Sequence, residues 1–199
     1  AQGLRQAAGS EEFRLERYGQ DKLCRWLSVA YPARNGDQSL NERLVEEGFA
    51  RIYKIDAESL SDPNFPLGFE DRLLEGQVGA ALDRAGMWGD QRYDEGIHII
   101  AIRYWGDDER VILGNLSDVA VSVSSLVVRD KAGHSLDAAG ILTTGIGDEG
   151  SQLLLPRTSV ALSSQSETWN DDGDEAFLDS KGTAVGSSER KPDYCYRGF

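Results

Sequence analysis

The chain has 199 residues, 40% of them hydrophobic and 28% charged, and a formal net charge of −13. This composition belongs to a folded globular chain rather than a disordered one, and no apolar run approaches the roughly 20 residues of a membrane helix. The negative charge, roughly −5 before residue 90 and about −8 after it, repels a polyanion at long range, so nucleic-acid binding requires a local basic patch.

The length suits two small domains. Residues 1–8 read as the end of a helix, with Leu4 and Ala8 one turn apart and Gly9 as the stop. Residues 11–17 alternate, which predicts a half-buried strand with Phe13 and Leu15 inward and Glu12, Arg14 and Glu16 outward. A YGQD turn over 18–21 then leads to a second strand over 23–31, completing a hairpin. Trp26 and Trp88 are expected in the core.

Ser39 with Glu42 three residues on predicts a capping box. Leu40, Leu44 and Val45 form one apolar face, and Gly48 ends that helix. A short strand is expected over 49–55, then a proline-containing loop over 62–66. Phe69, Leu73, Leu74, Val78, Ala81 and Leu82 recur at helical spacing up to Gly86.

Past residue 90 the pattern changes to short strands at 98–105, 110–113, 119–123 and 126–129, with turn signals between them. That is the pattern of an all-β sandwich. WNDDGDEAFLDSKGTAVGS, 169–187, reads as an acidic turn and a closing hairpin of 176–178 with 183–185. The loop over 139–150 is not explained by a sandwich and suits either a partner-binding loop or an insertion. Residues 189–199 extend beyond the expected last strand. Tyr194, Tyr196 and Phe199 there suggest docking, either onto this chain or onto another.

Three separated pieces of the first half resemble the C-terminal half of a staphylococcal-nuclease (thermonuclease) domain. They are RLERYGQDKLCRWLSVAY, SLNERLVEEGFARIY and a long helix ending in AGMWG. The resemblance implies an OB-fold barrel segment followed by two helices over 1–90. The family's catalytic arginine lies in a DKYGR-like turn, and Arg25 occupies that place in Asp21-Lys22-Leu23-Cys24-Arg25, where it would stabilise charge developing on a phosphate. The family's Tyr-Gly pair is Leu23-Cys24 here. Its calcium-binding carboxylates, second arginine and general base correspond to segments upstream of Ala1. The plainer reading of Arg25 is a rim charge paired with Asp21 or Glu16.

ERVILGNLSD, SSLVVRDKAGHSLD, LLLPRTSVALSS and WNDDGDEAFLDSKGTAV resemble a lamin-tail domain, an immunoglobulin-like β-sandwich. The resemblance covers about residues 95–188, within a domain expected over 91–188, and implies a secreted or cell-surface, prokaryotic protein. The expected fold class is therefore α+β followed by all-β, with 189–199 as a tail.

Among chemical constellations, Asp171, Asp172 and Asp174 around Gly173 invite a calcium reading, but the spacing lacks the terminal bidentate glutamate of a calcium loop. A hydrogen-bonded turn without metal explains them as well. Cys24 and Cys195 are too few and too far apart for a disulfide scaffold or a zinc site. They either bridge the tail to the first domain or stand as unrelated thiols. His98 and His134 are the only histidines, and neither a nucleophile elbow nor a phosphate-cradling P-loop is present.

The chain starts at Ala1 and its only methionine is Met87, so a processed product is expected. Two functions compete. The leading one is a non-catalytic secreted or surface binding and assembly protein, without a cofactor, joined to other protein subunits through exposed barrel edges. The rival is the C-terminal portion of a calcium-dependent extracellular nuclease, with nucleic acid as partner and the sandwich as anchor. Carbohydrate binding by the sandwich is a third, resting on architecture alone.

Overall fold

The structure is a computed structural model that describes residues 12–20, 24–34, 36–52, 63–93, 96–104, 109–130, 132–137, 153–163, 173–180 and 194–197. The chain divides between Gly89 and Asp90 into two compact units, and together they form a mixed α+β, largely β protein.

In the first unit, β1 (Phe13–Gln20) pairs antiparallel with β2 (Trp26–Pro32). The helices α1 (Leu40–Glu46) and α2 (Phe69–Leu82) pack on one another, and a 3-10 turn, Gly86–Gly89, closes the unit. The capping box forms as expected. The Ser39 hydroxyl accepts from the Glu42 amide at 3.1 Å, and Glu42 Oε2 accepts from the Ser39 amide at 2.7 Å. Gly48 takes a φ of 69° just past α1, donates to Val45, and accepts from the Met87 amide at 2.9 Å. Phe69, Leu73, Leu74 and Ala81 are buried along α2, as their spacing demands, and Trp88 is wholly buried.

Several expectations fail in this unit. Phe13 and Leu15 do not form the face packed on the helices: Leu15 is 59% exposed, while Tyr18 and its cross-strand side, Val29 and Tyr31, are buried. A shift in pairing between Arg17 and Gln20 lengthens β1 through Tyr18, so YGQ belongs to the strand and not to the turn. Residues 49–52 are not a strand. The amides of Phe49 and Ala50 donate to the Leu44 carbonyl, and the Ile52 amide donates to the Gln77 side chain at 2.6 Å. A helix end and a buried glutamine satisfy the backbone donors there, so no neighbouring strand is needed. Residues 1–8 lie outside the described residues.

In the second unit, β3 (Ile97–Arg103), β4 (Arg110–Asn115) and β9 (Thr158–Ser163) form one antiparallel sheet in the order β3-β4-β9. The β3–β4 register shifts between Ile99 and Ala101, and this bulge carries Ile100 over Gly114, whose missing side chain leaves the space it fills. A second sheet has the order β11-β10-β6-β7, built from β6 (Leu126–Arg129), β7 (Ser135–Asp137), β10 (Gly173–Ser180) and β11 (Tyr194–Arg197). β5 (Val121–Ser122) pairs with β8 (Leu153–Leu154), and β3 lies against β10 and β11.

The tail does not merely follow the last strand. Residues 194–197 pair with 173–176 of β10, so the tail docks on its own chain. The partners of β10 are β6 and β11; residues 183–185, the expected hairpin partner, lie outside the described residues, as does the loop 139–150. Among the described residues, no helix is long and apolar enough to cross a membrane.

Candidate functional site

The candidate site is the Arg25 end of the β1–β2 hairpin. Below the hairpin, Tyr18 stacks edge-on against Phe65 at 5.1 Å, and Phe65 does the same against Phe69 at 5.6 Å, fastening the strand to α2. The Tyr18 hydroxyl donates to Glu16 Oε2 at 2.5 Å, and Arg14 pairs with Glu16 Oε1 at 2.8 Å. Burial raises the Tyr31 hydroxyl above its ordinary pKa, with the carboxylates of Glu16 and Glu42 adding to the effect, so it remains a neutral phenol.

The outer edge of β2 is held by α1. Asn41 Oδ1 accepts from the Ala30 amide at 3.0 Å and its Nδ2 donates to the Ser28 carbonyl at 3.4 Å. Asn41 therefore occupies backbone groups of β2 that an added strand would need.

Between the strands, Cys24 adopts a φ of 60°, the left-handed region that glycine enters freely and other residues rarely do. It leads directly into Arg25, which is exposed at the head of β2. Trp26 follows and is 54% exposed, contrary to its expected place in the core. The reason lies in the register: Arg17 faces Ser28, so strand alternation sets Arg17, Ser28 and Trp26 on the face turned away from the helices. Arg17 places its guanidinium 5.1 Å from the Trp26 ring centre. Sequence reading missed this pair. The signal was the parity that sets Phe13, Leu15 and Arg17 together against the charged set Arg14 and Glu16.

The other expected site residues belong to other segments of the chain. Asp171 and Asp172 lie outside the described residues, while Asp174 is part of β10, opposite Tyr196, and so stands in a strand instead of a turn. Among the described residues, no group of three or more His, Cys, Asp or Glu is placed to hold a metal ion. Cys24 is an exposed free cysteine. Cys195 has its backbone in β11 opposite Glu175. Tyr194 and Tyr196 are β11 positions, and Phe199 lies outside the described residues. His98 sits in β3 with its ring 5.2 Å from Tyr93, and His134 bonds Asp130 in the turn before β7.

An open depression of about 510 Å³ beside α1 and α2 is lined by Asp37, Glu42, Glu46, Arg72 and Glu75. Four of its groups are committed to one another in pairs: Arg72 pairs with Glu42, and Gln38, also in its lining, donates to Glu46 at 2.6 Å. No family model, curated protein or solved structure matches the chain.

Proposed function

We propose that the first unit is the arginine-bearing part of a nuclease of the staphylococcal type, an OB-like hairpin with its two helices, acting on phosphodiesters of nucleic acid. The second unit is then an immunoglobulin-like sandwich of the lamin-tail type that anchors the protein outside the cell or at its surface. The observation that carries this reading is the Cys24-Arg25 turn. Cys24 holds the left-handed conformation at the place where the family's turn has glycine, so replacing glycine with cysteine has kept a backbone that presents Arg25 outward.

A guanidinium so placed offers parallel N–H donors to two oxygens of one phosphate and is always charged. As the phosphorus is attacked, negative charge grows on those oxygens. Arg25 would then bind the transition state more strongly than the ground state. The described residues do not by themselves fit a calcium site, and Arg25 is the group of this chain to which the chemistry assigns a role. The test is cleavage of single-stranded DNA by the protein isolated from its native source, with and without added calcium, together with its Arg25→Gln variant. The expected result is calcium-dependent cleavage reduced about 100- to 1000-fold by the substitution. No cleavage, with oligonucleotide binding indifferent to Arg25→Gln, refutes the reading.

A second reading, a non-catalytic assembly protein, is favoured by the exposed apolar side chains of Leu15 and Trp26 on the hairpin. A protein subunit seated there would bury both. Native mass spectrometry of the protein from its source, showing a stoichiometric second subunit lost on Trp26→Ala, would select it over the nuclease.

A further inference from the structure

We infer that the outer edge of β1 is a self-association surface, on which a second copy of this chain lays its own β1 antiparallel and joins the two hairpins into one sheet. The inference does not depend on the nuclease reading. Asn41 holds the far edge of β2, and among the described residues β1 has no neighbouring strand but β2. The hydrogen bonds fix which groups the β1 edge offers. Glu12 accepts from the Ala33 amide, while the Ala30 amide and the Ser28 carbonyl turn away from β1 to Asn41. Alternation along the pair therefore aims the backbone of Arg14 and Glu16 at β2 and that of Phe13, Leu15 and Arg17 outward.

Little in the strand blocks an added neighbour. Over residues 13–17 it has neither proline nor bulge, and the register shift comes only after Arg17. Leu15, in the middle of the outward set, is 59% exposed.

Charge selects a second copy as the occupant. When two β1 strands pair antiparallel about a two-fold axis at Leu15, Leu15 exchanges both hydrogen bonds with the partner's Leu15, and Phe13 does so with the partner's Arg17. Arg14 then lies directly opposite the partner's Glu16, and Glu16 opposite the partner's Arg14. The next registers on either side that use the same backbone groups set Arg14 against the partner's Arg14, or Glu16 against the partner's Glu16. Like charges directly opposite destabilise a ladder, so the Leu15-centred register wins. Arg14 already pairs with Glu16 of its own strand at 2.8 Å, yet its side chain is 67% exposed. A guanidinium has donors, and a carboxylate acceptor sites, to spare for a ring of alternating charges across the axis. Arg14-Leu15-Glu16 is thus complementary to its own reverse. The net charge of −13 on each copy opposes association at long range, so the dimer depends on these short-range pairs.

The experiment is sedimentation of the protein isolated from its native source, at concentrations spanning about two decades of the micromolar range. Wild type, Leu15→Pro, Arg14→Glu and Glu16→Arg are compared, and circular dichroism confirms that each is folded. Wild type is expected to dimerise. Leu15→Pro removes an amide that faces away from β2, so the hairpin persists while self-association weakens about tenfold or more. Arg14→Glu and Glu16→Arg each turn the cross-strand attractions into repulsions and are expected to weaken self-association to a similar degree, about tenfold or more. Mixed in equal amounts, these two variants are expected to form a heterodimer, because each then meets the opposite charge. If Leu15→Pro does not fold, the mixing experiment decides alone. A monomeric wild type, a dimer that withstands Leu15→Pro or either charge reversal, or reversed variants that do not combine on mixing overturns the inference. So does a different protein found along β1 in place of a second copy.

Discussion

Glu42 on α1 and Arg72 on α2 are joined by a 2.6 Å hydrogen bond from the guanidinium Nε to the carboxylate, while the other carboxylate oxygen closes the capping box on Ser39. One nearly buried carboxylate thus ends one helix and ties it to the next. Burial alone would raise the Glu42 pKa. The Ser39 hydroxyl, the Arg72 guanidinium and the Ser39 amide outweigh it and hold the value below the ordinary 4.5. A depressed folded-state pKa adds stability above the unfolded-state value, and that stability is lost as pH falls through the folded-state value. Glu42→Gln is therefore expected to destabilise the first unit at pH 7 by about 1–2 kcal/mol, a figure held down by the half-exposed arginine. The difference from wild type should shrink in urea titrations taken progressively below pH 4.5.

Gly48→Ala and Gly86→Ala should each cost about 2 kcal/mol or more in urea unfolding. Both glycines have positive φ, and a Cβ on Gly48 would lie 2.2 Å from the Ala85 carbonyl oxygen, one on Gly86 2.4 Å from that of Gly48. Neither neighbour can turn aside, because both are backbone atoms. Gly79→Ala on α2 meets nothing within 4 Å and should stabilise slightly.

Cys24→Gly should raise stability by about 0.5–1 kcal/mol. The left-handed conformation costs an L-residue about 1–2 kcal/mol, and glycine's greater freedom in the unfolded chain takes back part of the gain. Cys24→Val, branched at Cβ, should destabilise and reduce any cleavage that depends on Arg25. A lower melting temperature for Cys24→Gly than for wild type contradicts the strained turn.

In the second unit, Asn115 is wholly buried yet fully bonded. Its Nδ2 donates to Val119 at 2.7 Å and Leu154 at 2.9 Å, and its Oδ1 accepts from the Ser117 amide and hydroxyl. Asn115→Leu is expected to destabilise by about 2–4 kcal/mol, because these backbone and hydroxyl groups lose their partner inside the protein. Thermal unfolding reads this directly. Asn115→Asp should also destabilise, since a carboxylate cannot donate to the two carbonyls.

Local patterns in the sequence carried much of the fold. The Ser39–Glu42 spacing, Gly48 and the apolar positions of α2 are decided within a few residues, so they are legible without a neighbour. The 126–129 strand is legible for the same reason. The candidate site was legible only at Arg25. Its companions Arg17 and Trp26 were hidden, because which face of a hairpin packs on helices depends on pairing register across the turn. Gln77 was hidden too, since its burial is paid for by a backbone donor 25 residues away at Ile52. The tail strand was hidden because β11 becomes a strand by pairing with β10.

The sequence by itself determined the charge, the change from mixed elements to strands near residue 90, the capped helix and its glycine stop. Each follows from composition or from bonds between residues a few positions apart. Only the tertiary structure decided that Leu15 and Trp26 face outward, that Asn41 occupies the edge of β2, and that the chain's last described segment is a strand. Those outcomes depend on partners distant in sequence, and strand alternation reverses a face with a single step in register.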